Sequence, residues 1–192
     1  CEGDRTNVVT LTVTPARLNT IGAVLERRGF VSQTSCGICG KELVENLSQI
    51  VRKLPDGPPI DPDRAYLCLK TLDEHQPLYR RSRATHAAAV YSADFDLLSA
   101  AEDVGRHNAL DKAIGKLFLE GSLHRASAVI LSSRISYEMV QKAARARLPI
   151  LISMSRPTAL AAEMGRALNL TLACTDRNSE LIFVCGENRI VF

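Results

Sequence analysis

Short apolar runs alternate with segments of helical spacing along the C-terminal third of the chain. The predicted strands cover residues 128–131, 150–152, 170–174 and 181–184, and the predicted helices between them cover residues 136–147 and 158–168. Continuous apolar strands joined by helices of this length are typical of a sheet whose two faces are both covered. The sequence therefore predicts an α/β domain built on a mostly parallel mixed sheet.

The chain before this alternation divides at a proline-rich stretch. Pro55–Pro62 (PDGPPIDP) contains four prolines and a glycine, which is typical of a linker. We therefore predict an N-terminal segment over residues 1–54 and an α/β domain over residues 55–192. We expect the N-terminal segment to be a small α+β unit. In the α/β domain we expect further helices and strands before the alternating part begins. The expected elements are a strand over 7–14, helices over 17–28, 42–54 and 63–75, a hairpin over 86–92 and 97–102, and a helix from about 106 to 119.

Two thiols three positions apart lie in the N-terminal segment, in Ser35–Lys41 (SCGICGK). A glycine follows each of Cys36 and Cys39, which leaves both sulfurs sterically open, and Lys41 favours the nucleophilic thiolate. Half of a zinc site and a structural disulfide are also possible interpretations. A zinc site needs two further ligands at matching spacing, whereas the other four cysteines are scattered singly. Cys68, Cys174 and Cys185 lie in helix or strand patterns and are expected to pack in the core.

Arginines and hydroxyl residues recur where the predicted strands end. The turns are Gly105–His107, Ser132–Arg134, Ser153–Thr158 and Thr175–Ser179. Ligands of such sheets bind beyond the carboxyl ends of the strands, and arginine binds phosphate with two parallel hydrogen bonds. A phosphate-bearing ligand held by Arg106 and Arg134 is one interpretation. Ordinary helix caps and surface charge are the second interpretation, and Asp111–Lys112 is interpreted as a solvated helix face.

Composition excludes several classes of protein. No apolar run approaches the length of about 20 residues that spans a bilayer, and the net charge of +3 does not indicate a nucleic-acid-binding protein. Six cysteines, mostly in apolar runs, fit reduced thiols in the cytoplasm. The chain begins at Cys1, so we expect a preceding piece in a longer polypeptide. No Rossmann or P-loop fingerprint is present.

Two motifs together resemble those of the FdhD family, the accessory sulfurtransferases of formate dehydrogenase. They are Ser35–Lys41 and Glu102–Lys112 (EDVGRHNALDK), and segments near Cys1–Val9 and Leu131–Lys142 are also similar. The resemblance covers nearly the whole chain. It implies a three-layer domain like that of the cytidine deaminases, with the CxxC loop on the N-terminal segment. It also implies a cytoplasmic homodimer that holds no tightly bound metal of its own.

The resemblance further implies a mechanism. A cysteine desulfurase loads sulfur onto Cys36 as a persulfide, and Cys39 assists or carries a sulfur of its own. The sulfur then passes to the molybdenum (or tungsten) bis(molybdopterin guanine dinucleotide) cofactor before its insertion into apo-formate dehydrogenase. The cofactor-binding stretch of the family corresponds here to Thr175, Asp176, Arg177, Asn178, Ser179 and Glu180.

The chain departs from the family pattern at two places. Thr175 and Ser179 stand where an aromatic residue and a glycine are expected, and Arg83–Thr85 precedes His86 where a glycine pair is expected. Either this branch of the family lacks the pair, or the sequence skips a segment there, which is the interpretation that we favour.

Three rival functions are compatible with parts of the pattern. A zinc deaminase needs a Glu two residues after a His or Cys and a later PCxxC. The equivalent positions here, His107–Ala109 and Ser132–Ser136, contain neither the glutamate nor the two cysteines, so a working deaminase is not expected. A non-catalytic cofactor chaperone and a zinc-binding module are the second and third rivals.

Overall fold

A computed structural model of the chain describes residues 12–18, 51–176 and 180–191. They fall into two compact units, with residues 12–18 in the first and the remainder in the second. The predicted elements over 7–14, 17–28 and 42–54 lie mostly outside the described residues. Residues 51–54 are described and are not helical, so the end of the last of these predictions is wrong.

The second unit contains five α-helices and six strands among its described residues. Helices α1 to α5 cover Pro62–Lys70, Pro77–Ser82, Arg106–Leu119, Tyr137–Arg145 and Ala159–Ala167. Strands β1 to β6 cover His86–Tyr91, Leu97–Asp103, Ala128–Arg134, Ile150–Ser155, Thr171–Thr175 and Leu181–Cys185. Short 3-10 turns cover Thr71–His75, Leu123–Arg125 and Glu187–Arg189. The predicted alternation and hairpin are confirmed, while the predicted 63–75 helix divides into α1 and a 3-10 turn.

The six strands form one mixed sheet in the order β2-β1-β3-β4-β5-β6. Strands β3, β4 and β5 pair in parallel, whereas the β1–β2, β1–β3 and β5–β6 pairs are antiparallel. The mixed sheet is therefore confirmed, but its parallel part is limited to three strands. The hairpin partner β1 and the last strand β6 both run against their neighbours.

Helices cover both faces of the sheet. On one face α3, α4 and α5 pack on residues such as Val129, Leu131 and Leu151, and on the other α1 packs on residues such as Ile130 and Ile152. Successive residues of β3 therefore enter opposite cores, which is why the strand is apolar throughout. The three-layer part of the predicted fold is observed, while its likeness to cytidine deaminases stays a prediction.

The proline-rich stretch contributes to this domain. Val51 and Leu54, which precede it, are both 4% exposed and belong to the core under α3, α4 and α5. Ile60 is fully buried and forms a parallel bridge with Ile190 near the C-terminus. The boundary predicted at residue 54 stays a prediction, but buried residues of the α/β domain lie on both sides of it.

Strands β2, β3, β4 and β5 run in the same direction, because β1 is antiparallel to both of its neighbours. Their last residues, Asp103, Arg134, Ser155 and Thr175, therefore lie at one end of the sheet, which we name the carboxyl end. The opposite end, where β3, β4 and β5 begin, is named the amino end. This topology decides which polar residues can meet.

Candidate functional site

The described residues of the four turns singled out in the sequence all lie at the carboxyl end. Arg134 of β3 pairs in register with Ser155 of β4, and β4 continues in register with β5 as far as Cys174. On the other side, His86 at the start of β1 pairs with Asp103 at the end of β2. The shared location is confirmed. The binding role of the turns stays a prediction.

Most hydroxyl groups of these turns already have partners within the fold. Ser132 Oγ accepts the amide of Ala87, while Ser133 and Ser153 each donate to a carbonyl oxygen of their own turn. Thr158 caps α5 by accepting the amide of Ala161, and Thr175 donates to the carbonyl of Met154. For these residues the interpretation as caps and structural groups is correct. They shape the carboxyl end without offering free hydroxyls.

The Glu102–Lys112 motif forms its own network. Asp103 accepts hydrogen bonds from the Gly105 amide at 2.8 Å and from Asn108 Nδ2 at 3.2 Å, and its Oδ2 lies 2.5 Å from Lys112 Nζ. The bond from Lys112 and the Gly105 amide hold the pKa of Asp103 at about 2. The network closes the turn between β2 and α3, so it fixes where α3 begins.

The charged pair at the end of the motif lies on an exposed helix face and forms ion pairs there. Asp111 accepts from Lys142 Nζ with both carboxylate oxygens, at 2.7 and 2.6 Å, which joins α3 to α4. Lys112 is held by Asp103 and donates to the carbonyl of Glu102. The interpretation of Asp111–Lys112 as a solvated helix face is confirmed, since the two side chains are 53% and 57% exposed. Asp111 also joins α3 to α4, and Lys112 joins α3 to the end of β2.

Four polar side chains, Arg106, His107, Ser136 and Glu138, come together where α3 and α4 begin. We name them the helix-start cluster. His107 Nε2 lies 3.7 Å from Glu138 Oε2, which is too long for a hydrogen bond. Ser136 is only 7% exposed. Its hydroxyl makes no capping hydrogen bond at the start of α4, and Gly105, at the cap position of α3, has no side chain that could make one. The cluster therefore lies at two helix starts that no side chain caps.

Three buried polar atoms of the helix-start cluster have no hydrogen-bond partner among the described residues. They are Arg106 Nε, His107 Nε2 and Ser136 Oγ. A buried polar group without a partner costs about 1–3 kcal/mol, so such groups are rare in structures that have no use for them. Helix N-termini attract anions because their amides are free and the helix dipole is positive there. The cluster is therefore suited to an oxyanion such as a phosphate.

Burial and local charge set the protonation of this cluster. Burial lowers the pKa of His107, which outweighs the attraction of Glu138, so the imidazole is neutral at pH 7. Burial alone would raise the pKa of Glu138, but the nearby Ser136 hydroxyl, its own amide and the positive charge of Arg106 lower it overall. Glu138 is therefore ionised, and Arg106 is the cation that can face an anion here.

Sequence reasoning identified Arg106 and Arg134 but did not single out Ser136 and Glu138 as site residues. Arg134 is exposed at the end of β3. Ser136 and Glu138 open α4 with the pattern serine-x-glutamate, which resembles an ordinary helix start. Only the packing of α3 against α4 places them beside His107. No local signal in the sequence predicted that contact.

The remaining predicted site residues are partly described. Cys36, Cys39, Arg177, Asn178 and Ser179 lie outside the described residues. Asp176 and Glu180 flank the last three and close that turn, because the Asp176 amide donates to the Glu180 carbonyl and Asp176 Oδ1 accepts the Glu180 amide. The turn that corresponds to the predicted cofactor-binding stretch therefore begins and ends at the carboxyl end.

The described cysteines lack the features of a reactive thiol. Cys174 and Cys185 are buried, Cys68 is partly buried, and none of the three forms a disulfide. Burial raises the pKa of each thiol, which disfavours the thiolate. The prediction that Cys174 and Cys185 pack in the core is confirmed. Among residues 12–18, 51–176 and 180–191, no group of three or more His, Cys, Asp or Glu side chains is arranged to hold a metal.

Comparisons with known proteins agree on one family. The model of the FdhD/NarQ family matches residues 3–191. A protein of Bordetella bronchiseptica named "Sulfur carrier protein FdhD" is 38% identical over 164 residues, which cover 85% of this chain and 59% of the relative. A protein of the same name from Anaeromyxobacter sp. is 36% identical over 173 residues, which cover 85% of this chain and 60% of the relative. The chain thus spans about three fifths of the curated relatives that it matches.

A solved structure gives the same result. The crystal structure of a formate dehydrogenase accessory protein from Desulfotalea psychrophila superimposes with a TM-score of 0.64 and 25% sequence identity. The match covers 73% of this chain and 62% of the solved chain. Within the described part of the chain, no helix is both long enough and apolar enough to cross a membrane.

Proposed function

The chain belongs to the FdhD/NarQ family, and we propose that it is a sulfur carrier required for the activity of formate dehydrogenase. Cys36 accepts sulfur from a cysteine desulfurase as a persulfide, with Cys39 assisting. The sulfur then passes to a molybdenum bis(molybdopterin guanine dinucleotide) cofactor, which is afterwards inserted into apo-formate dehydrogenase. The proposal rests most directly on one observation. The Ser35–Lys41 motif occurs in a chain whose curated relatives are named sulfur carrier proteins.

The loading step is thiol–persulfide exchange. The Cys36 thiolate attacks the terminal sulfur of the desulfurase persulfide, a new S–S bond forms on Cys36, and the desulfurase thiolate leaves. Such exchange depends on the thiolate fraction and on access to the sulfur. Lys41 and the two glycines of the motif favour both. Cys68, Cys174 and Cys185 have raised pKa values because they are buried, so Cys36 and Cys39 are the better candidates.

The carboxyl end of the sheet is the proposed binding surface for the cofactor, which is a substrate here. Its guanine dinucleotide halves carry phosphates, and the helix-start cluster offers buried donors without partners to an anion. Arg134 ends β3 and Thr175 ends β5, the two strands on either side of β4, so both lie at the same end of the sheet. We expect the protein to act as a cytoplasmic homodimer that binds neither nucleic acid nor a membrane.

Sulfur loading provides the test. The purified protein is incubated with a cysteine desulfurase and cysteine, and its intact mass is then measured. We expect the added mass of one sulfur on Cys36, lost on reduction and absent from Cys36→Ala. Cys68→Ala is the matched control and should load normally, since Cys68 lies in α1. No added mass, under conditions that load a known acceptor protein, contradicts the proposal.

A cofactor chaperone without sulfur chemistry is the competing function, because the helix-start cluster would suit it equally. The Cys36→Ala variant separates the two functions in cells that lack the native protein. A sulfur carrier with this substitution leaves formate dehydrogenase inactive, although the enzyme is synthesised normally. A chaperone with the same substitution still restores its activity.

A further inference from the structure

A surface pocket of about 450 Å³ lies between α2 and the turn that joins β2 to α3. Its lining residues are Leu78, Arg81, Ser82, Ala84, Thr85 and Val104. None of them belongs to the persulfide loop, to the helix-start cluster or to the stretch from Thr175 to Glu180. Val104 immediately precedes Gly105 and Arg106, so the pocket opens beside the carboxyl end of the sheet. It is therefore a separate feature next to the proposed site.

The pocket presents exposed apolar side chains on a rigid frame. Leu78 is 49% exposed and Val104 is 73% exposed. The Glu102 carboxylate accepts the amides of Leu78 and Tyr79 at 2.7 and 2.8 Å and the hydroxyl of Thr85 at 2.9 Å, which ties α2 to β2. Apolar side chains that adjoin a rigid pocket at a protein surface are typical of contacts with another molecule. Because the walls are fixed in advance, little entropy is lost when the pocket is filled.

The charge around the pocket is positive. The chain from Gln76 to Ala84 contains three arginines and no acidic residue. Arg80 is held by the carbonyls of Asp73 and Glu74, and Arg83 lies over the Tyr79 ring, 5.3 Å from its centroid. The Glu102 carboxylate beside the pocket is used by its three donors. Arg81 lines the pocket and contacts no acidic side chain among the described residues.

We propose that this pocket binds an acidic segment of a partner protein, with one bulky apolar side chain inserted between Leu78 and Val104. The three arginines attract the segment's carboxylates, and Arg81 pairs with the carboxylate next to the inserted side chain. Small-molecule sites bury about 70–90% of the ligand surface, which a pocket with such exposed walls does not do. A protein segment covers such a site with its own flanks, and a buried apolar anchor with a polar rim is typical of protein interfaces.

Methyl signals of the protein provide the test. Leucine and valine methyl groups are labelled with ¹³C, and a short synthetic peptide of glutamates around one phenylalanine is titrated in. We expect shifts at Leu78 and Val104 but not at Leu67 and Leu119, which are 60% and 85% exposed outside the pocket. Replacing the phenylalanine by alanine, or the glutamates by lysines, should abolish the shifts. Added salt should weaken them, since charge pairs at a surface are screened.

Variants confirm the location. Arg81→Glu should weaken the peptide about tenfold or more, because an attractive charge becomes repulsive, whereas Arg125→Glu at the amino end should leave its affinity unchanged. Equal shifts at all exposed leucines, or no shift at Leu78 and Val104, overturn the proposal. A shift of these two methyl signals by GMP, when the peptide causes none, also overturns the proposal. None of these measurements involves Cys36, so failure here and failure of sulfur loading are distinguishable.

Discussion

The two ends of the sheet each contain an arginine with buried guanidinium atoms, and the two arginines are used differently. At the amino end Arg189 is 4% exposed, and its two Nη atoms donate to Thr171 Oγ1 at 3.0 Å and to the Asn169 carbonyl at 2.9 Å, while its Nε has no partner among the described residues. At the carboxyl end the Nε of Arg106 is buried without a partner among the described residues, beside His107 and Ser136 in the same condition.

The surroundings of the two arginines explain the difference. Thr171 also donates to the carbonyl of Gly186, and Asn169 donates to the carbonyl of Leu54 and to Asp56, so Arg189 belongs to a network in which its Nε is the unpaired atom among those described. That network ties the proline-rich stretch and the C-terminus to β5. The carboxyl end keeps unpaired donors at a cost in stability. Similar residue types thus bond mainly within the fold at one end, whereas at the other end three of their buried polar atoms have no partner among the described residues.

The largest effect is expected at a glycine of the amino end. Gly186 has a φ of +79°, and an added Cβ would meet Thr171 Oγ1 and lie 2.6 Å from Thr171 Cα. Gly186→Ala should therefore lower the free energy of unfolding by about 3 kcal/mol or more, as measured by urea denaturation. Gly105→Ala at the carboxyl end is the matched control. Its added Cβ meets only side-chain atoms, the nearest 3.2 Å away, so a loss below about 1 kcal/mol is expected.

The two arginines should respond in opposite ways. Arg189→Ala should destabilise the protein by about 2–4 kcal/mol, because it opens a cavity and leaves the Asn169 carbonyl without its donor. Arg106→Ala should cost less than about 1 kcal/mol, because its buried Nε makes no bond that is lost. It should instead weaken binding of GDP, a probe for the guanine dinucleotide, by about tenfold or more. If Arg106→Ala unfolds the protein as readily as Arg189→Ala, the contrast between the two ends is wrong.

Two helix starts at the carboxyl end sharpen the comparison. Thr158 accepts the Ala161 amide at the start of α5, so Thr158→Ala should cost about 1 kcal/mol, within the usual range for an N-cap. Ser136 at the start of α4 makes no such bond, so Ser136→Ala should leave the stability unchanged or slightly raised. Thermal and urea denaturation of the two variants give the comparison. Equal losses for both would show that Ser136 acts as an ordinary cap.

The smallest effect concerns acid sensitivity of the turn before α3. The pKa of Asp103 is lowered to about 2 from its ordinary value of 3.8, so the unfolded chain binds more protons between these two pH values. The stabilisation that Asp103 provides is therefore present above about pH 4 and is lost as the pH falls to 2. Asp103→Asn should flatten the profile of stability against pH, measured by urea denaturation, in this window only. High salt should reduce the difference, because the pair with Lys112 is exposed.

Local sequence pattern was sufficient for much of the fold. Residues 128–131 and 150–152 are apolar at every position because both faces of these strands are buried, so they were recognisable without knowledge of the topology. The turns at 105–107, 132–134, 153–158 and 175–179 were recognisable in the same way. Proline and glycine marked the stretch over 55–62, but pattern alone did not reveal that Ile60 is fully buried beneath the C-terminus.

The sequence by itself determined that the chain forms an α/β domain, that polar turns follow its strands, and that two cysteines, each followed by a glycine, lie three positions apart. Only the tertiary structure decided that β1 and β6 run against their neighbours, that Asp111 meets Lys142, and that Glu138 lies beside His107. The physical reason is the separation along the sequence over which each kind of interaction acts. Burial and capping leave a periodic pattern within a few residues, whereas the side-chain contacts join groups about 30 positions apart and depend on how whole helices pack.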